Sequence, residues 1–146
     1  TNWNSCVKDK DTVYILGDVG FGSAKSVSNV LRRLKGNKVL IVGNHDHKNI
    51  RSADFCSEFV DMKIYGVEHF DKKMVVMFHF PIEFWDQRHR GSYHLHGHCH
   101  STNPEKLTQR RFDVGLDGNN CNLYNIRELL KDIEKKVPSD NFKSHH

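Results

Sequence analysis

Four short polar stretches carry the residue types that chemistry uses: Gly17-Asp18, then Gly43-Asn44-His45-Asp46, then His79 just ahead of Pro81, and finally Gly97-His98-Cys99-His100. The last belongs to YHLHGHCHS (93–101), where His94, His96, His98 and His100 occupy every second position. A strand sends alternate side chains to one face, so this spacing aims several imidazoles at a single point. Imidazoles converging with a carboxylate and an amide oxygen suit a metal. Each piece also has a plainer reading. Asp18 alone serves as well in an Asx turn or a helix cap, and a lone His closing an apolar strand is usually a hydrogen-bonded structural residue. The combination argues against coincidence, because every one of these stretches follows a strand or a glycine.

The elements that must position these residues follow from apolar periodicity. TVYIL (12–16) is a short β-branched and apolar run that stops at Gly17. Ala24, Val27, Val30, Leu31 and Leu34 share one helical face, with Ser23 before them as N-cap and Gly36 after them as a stop signal. KVLIV (38–42) is the next strand, so strand, helix and strand form a βαβ unit and predict a parallel sheet. Asp18 and the GNHD stretch then sit at the C-terminal tips of buried strands, where open α/β sheets place their ligands. Runs at 62–65, 67–70 and 74–78, separated by Gly66 and by Asp71-Lys72-Lys73, predict an antiparallel meander. Asn125 and Glu128 form a capping box ahead of a last helix whose apolar face is Ile126, Leu129, Leu130, Ile133 and Val137. The expected class is α/β.

A chain of 146 residues reads as one domain, over 1–137, followed by a polar tail at 138–146 whose closing His pair resembles part of a tag. That length buries a core without disulfide or metal staples, so a metal here would serve chemistry rather than folding. No apolar run approaches the roughly 20 residues of a membrane helix. Twenty-two Lys and Arg against eighteen Asp and Glu leave +4, a mild excess that suits a phosphate-bearing ligand or simply a solvated surface. Basic residues do not interleave with aromatics along one element, so no stable nucleic-acid binding is expected. Cys6, Cys56, Cys99 and Cys121 form no CxxC pair, which fits a reducing, cytoplasmic setting.

In their order and spacing, GD, GNHD, a single His before Pro and GHxH resemble the motifs of the calcineurin-like metallophosphoesterases, over 12–119. The resemblance implies two mixed β-sheets in a sandwich flanked by helices, with a two-metal site at the strand tips. It also implies hydrolysis of phosphate esters, most often diesters or nucleotide-type substrates among small members. Asp18 would bridge two divalent metals, Asn44, His79 and His98 would complete one of them, and His100 would reach the other. Mn is favoured, and Fe, Ni or Zn also suit the ligand types. Two metals about 3.5 to 4 Å apart would activate a shared water for in-line attack, so no protein nucleophile is required. His45 would act as general acid, and Asp46 would either orient its ring or cap the following segment.

His94 and His96 match no ligand position and are expected to be structural or to support the ligands. Arg88 and Arg90 lie in a polar stretch near the third motif, where guanidinium groups can hold a phosphate; a solvated loop is the alternative. Arg110 and Arg111 precede FDVGLDGNN with no assigned task. One departure stands out. The family's opening Asp-x-His, which supplies two ligands to the first metal, has no counterpart before Asp18, since residues 1–11 contain Asp9 and Asp11 but no His. The expectation is an N-terminal truncation that removes the first strand. The alternatives are a degenerate relative that binds a partner instead of turning over a substrate, and an oligomer whose partner covers the open edge.

Overall fold

The computed structural model describes residues 2–19, 22–97, 109–115 and 123–138. After helix α1 (Asn2–Cys6), strand β1 (Thr12–Ile15) leads through α2 (Ala24–Arg32) to β2 (Asn37–Ile41), and the two strands pair in parallel with Tyr14 opposite Val39. This is the βαβ unit anticipated from the alternation of periods. Helix α2 begins where Ser23 Oγ accepts the Ser26 amide, and it buries Val27, Ser28 and Leu31 against the sheet. A side chain at Gly36, at φ +95°, would press on Val7 2.8 Å away, so glycine ends the turn that follows.

Strand β3 (Asp61–Lys63) follows the short α3 (Ala53–Ser57) and also pairs in parallel with β2. Here the expected meander is corrected. Residues 62–65 do not form its first strand, because the chain leaves the first sheet at Lys63 and enters the second at Tyr65, with Ile64 exposed at the crossing. Gly66 is not a separator either. It lies inside β4 (Tyr65–Phe70) opposite Met77, buried where a Cβ would sit 3.1 Å from Ile41 Cδ1, so the absence of a side chain lets the two sheets approach. The hairpin between β4 and β5 (Lys73–Phe78) does form, turning at Asp71 and Lys72, both at positive φ as a tight two-residue turn needs. Strands β6 (Tyr93–His96) and β7 (Arg111–Asp113) then add in parallel, giving the order β4-β5-β6-β7.

Two apolar clusters define the layers. Val27 and Leu31 of α2 and Phe55 of α3 cover Leu40 on one face of the first sheet. On its other side, Leu16 and Ile41 meet Val75, Met77, Tyr93 and Leu95 of the second sheet and Leu129, Leu130 and Ile133 of α4 (Ile126–Lys136). The chain is thus an α/β sandwich of two sheets with helices against them, as expected. Asn125 caps α4 by accepting the Glu128 amide, and Arg110 closes its far end by donating to the Val137 carbonyl at 2.9 Å. Arg110 also binds the Gly91 carbonyl and the Tyr93 hydroxyl, while Arg111 binds the Ile82 carbonyl. Both arginines tie loops to the frame. No helix among the described residues is long and apolar enough to cross a membrane.

Candidate metal centre

The C-terminal tips of β1, β2, β5 and β6 come together at one edge, and glycines let them do so. Gly17, at φ +92°, passes so close to β2 that a Cβ would collide with His79 Nδ1 and sit 2.7 Å from Gly43 Cα. A Cβ on Gly43 would lie 2.6 Å from Asp18 Oδ1 and 2.7 Å from the Asp18 nitrogen. Gly97 donates to the His79 carbonyl at 3.0 Å, and its own Cβ would meet the Leu16 carbonyl at 3.0 Å. The glycines of GD, GNHD and GHCH therefore each create space for another of the motifs. Gly43→Ala should force the two loops apart: we expect a loss of about 3 kcal/mol in urea denaturation, at the upper end of overpacking costs, because the new methyl would meet the Asp18 and Gly17 backbone as well as the Asp18 side chain.

Asp18 turns at φ +53°, a left-handed backbone that Asp tolerates better than most residues and that concentrates at functional sites. Its Oδ1 accepts the His45 amide at 2.9 Å. Its buried Oδ2 has no hydrogen-bond partner among the described residues and faces His79 Nε2 at 3.2 Å. His79 is 1% exposed, and its Nδ1 lies 2.7 Å from the Leu16 carbonyl, which can only accept, so Nδ1 donates there and Nε2 is the ring atom turned towards Asp18. Asn44 Oδ1 approaches the same Nε2 at 2.9 Å. A carboxylate oxygen and an amide oxygen thus converge on one imidazole nitrogen, at 3.2 and 2.9 Å, a set of donor types that suits a divalent cation. The residues present fit a divalent metal. Among the described residues no cluster of three or more His, Cys, Asp or Glu side chains forms, so the carboxylate, amide and imidazole are this part of the chain's contribution. His98 and His100 lie outside the described residues.

Asp46 is fully buried and accepts three backbone amides: Asp18 at 2.8 Å, Val19 at 3.0 Å and Gly43 at 2.8 Å. It joins the GD loop to the GNHD loop, a task that no local pattern announces. His45 is exposed and its backbone fixes Asp18. Arg90 lines a cavity of about 310 Å³ with Lys72, Lys73 and Tyr93, at the starts of β5 and β6. Strand rise alone puts roughly 17 Å between Met74, on that cavity, and His79, because five residues advance about 3.4 Å each. Arg88 is engaged nearby, its guanidinium 5.1 Å from the Phe84 ring centroid and 5.6 Å from that of Trp85.

His94 is structural. Its Nδ1 lies 3.0 Å from the Val76 carbonyl and its Nε2 accepts the Ile82 amide at 2.9 Å, beside the buried Trp85 ring. Burial pushes its pKa down to about 4 from 6.5. The unfolded chain therefore takes up this proton before the folded one, so the contribution is complete above pH 6.5 and is lost as pH falls towards 4. The loss should approach about 3 kcal/mol, and denaturation of His94→Gln across this window should show a correspondingly flatter pH dependence.

Residues 2–146 match the calcineurin-like phosphoesterase family. The chain belongs to that family. Family membership makes it a phosphoesterase by kinship, of a metal-dependent kind. It is similar to the gene 66 proteins of Mycobacterium phages D29, at 30% identity over 91% of this chain and 81% of that protein, and L5, at 31% over 79% and 70%. It also resembles the uncharacterized protein MJ1445 of Methanocaldococcus jannaschii, at 28% over 92% and 72%. Among solved structures, a protein of unknown function from Aquifex aeolicus, AQ665, superposes with a TM-score of 0.68 at 20% identity, over 89% of this phosphoesterase and 80% of that chain, a likeness of fold.

Proposed function

We propose that this phosphoesterase hydrolyses phosphodiesters with two divalent cations, Mn favoured, at the edge built from Asp18, Asn44 and His79. The observation that carries this reading is the convergence of Asp18 Oδ2 and Asn44 Oδ1 on Nε2 of His79, at 3.2 and 2.9 Å. His98 and His100 are proposed as further ligands, which with Asp18, Asn44 and His79 would hold the cations. When bound, the cations supply Lewis acidity at the phosphoryl oxygens and lower the pKa of water.

The chain's own residues do the rest. The Leu16 carbonyl fixes the His79 tautomer, and Asp46 holds Asp18 and Gly43 in register. The exposed His45, held next to Asp18 by its amide, is proposed to donate a proton to the leaving oxygen from the solvent side. The test is hydrolysis of bis(p-nitrophenyl) phosphate with and without Mn. Release of nitrophenolate that a chelator stops and Mn restores is the expected result. A folded chain that binds Mn yet releases none would point instead to a binding module on the same fold.

A further inference from the structure

We infer that the cavity at the starts of β5 and β6 is a second binding site, for a compact oxyanion of two or more negative charges, apart from the metal centre and independent of the hydrolytic reading. Lys72, Lys73, Arg90 and Arg110 bring positive charge to its lining, and Glu134 brings the one negative charge, meeting the Lys73 ammonium at 3.1 Å. Four cations against one carboxylate leave the lining at +3, nearly the +4 of the whole chain, so the basic excess is gathered in one hollow rather than spread over the surface. The fold does the gathering. Lys72 and Lys73 come from the β4–β5 hairpin, Arg90 from the loop before β6 and Arg110 from the residue before β7. Like charges drawn together from separate segments repel, and an occupant of opposite sign relieves that cost.

The lining also selects the occupant. Arg110, 5% exposed, donates to the Val137 and Gly91 carbonyls and to the Tyr93 hydroxyl, neutral oxygens that fix its guanidinium without cancelling its charge. Lys72 and Arg90 are exposed and can close on a guest from the rim. Gln87, on the same lining, holds a left-handed backbone at φ +59°, a strain that gathers at ligand clamps. Guanidinium groups pair with the oxygens of phosphate or carboxylate, and ammonium groups add point charge. A singly charged guest would leave most of the +3 uncompensated. About 310 Å³ stands at the low end of the roughly 300 to 1,000 Å³ of small-molecule sites, which calls for a compact one.

Calorimetric titration of the full chain tests this, after a chelating resin has stripped it of metal so that the metal centre takes no part. Diphosphate is the titrant in one arm and citrate in the other. One-to-one binding is expected in at least one arm, and the tighter arm says whether phosphate or carboxylate oxygens are the better fit. Arg90→Gln should weaken that binding about tenfold, the loss of one charge-assisted contact, and adding Lys72→Gln should weaken it severalfold more. Both side chains are exposed, so the unliganded variants should melt with the wild type. Lys25→Gln removes an equal charge from the exposed side of α2, which covers the other sheet, and should leave the affinity within twofold. Binding in neither arm, an affinity unchanged in the double variant, or an equal loss in Lys25→Gln overturns the site. The position has its own readout: the tighter titrant should shift the backbone amide resonances of Gly91 and Ser92 and leave those of Gly43 and Asn44 in place. Shifts confined to Gly43 and Asn44 would put the anion at the metal centre and overturn the inference.

Discussion

Asp18→Asn is expected to cut Mn-dependent hydrolysis of bis(p-nitrophenyl) phosphate by more than about 100-fold, because changing even the groups that orient metal ligands costs about 10- to 100-fold. The fold should survive. Asn can still accept the His45 amide through Oδ1, as Asp18 does at 2.9 Å, and its new NH2 can donate to the His79 Nε2 that Asp18 Oδ2 now faces at 3.2 Å. The substitution thus keeps the His45 contact and leaves a polar group beside His79, so the metal-free variant should melt within a few degrees of the metal-free wild type. Calorimetric Mn titration and thermal denaturation of both proteins, each without and with metal, check the two halves of this expectation. Activity within tenfold of wild type would place the chemistry elsewhere. A large fall in the metal-free melting temperature would mean that Asp18 is held by contacts other than those described.

Asp46→Ala should act in the opposite way, through the fold first. Three backbone amides, those of Asp18, Val19 and Gly43, would lose their acceptor inside a site where Asp46 is fully buried. Each unsatisfied buried donor costs about 1 to 3 kcal/mol, and the three are coupled through one carboxylate, so a total near 4 kcal/mol is expected. At this chain length that corresponds to a melting temperature about 10 °C lower. Activity should fall as well, since among the described residues it is Asp46 that holds the Asp18 backbone amide. Asp46→Asn should be intermediate, because an amide keeps one oxygen but turns its NH2 towards donors. Urea denaturation of both variants checks this ranking. A cost below about 1 kcal/mol for Asp46→Ala would show that Asp46 does not clamp the loops.

Much of the frame was legible in the residue pattern. The capping of α2 by Ser23 and of α4 by Asn125 and the turn at Asp71 and Lys72 rest on interactions a few residues long, and the βαβ unit follows from the local periods of its three elements. Such interactions report themselves as periodicity, caps and turn residues. The residue types of the site were legible for the same reason, because Asp18, Asn44 and His79 each follow a strand that the alternation of apolar residues reveals.

By itself, then, the sequence determined which side chains stand at strand tips and what chemistry they are suited to. Only the tertiary structure decided how they are held. His79 presents Nε2 because of a carbonyl 63 residues away, at Leu16. Asp46 turns from His45's neighbour into the clamp between two loops. Residues 61–63 join the first sheet although they adjoin the hairpin of the second, and Arg90 lies on a cavity at the far end of β5 and β6. Each of these depends on which strand pairs with which. Pairing is chosen by contacts between distant segments competing to bury the same faces, and a local pattern specifies the face without naming the partner.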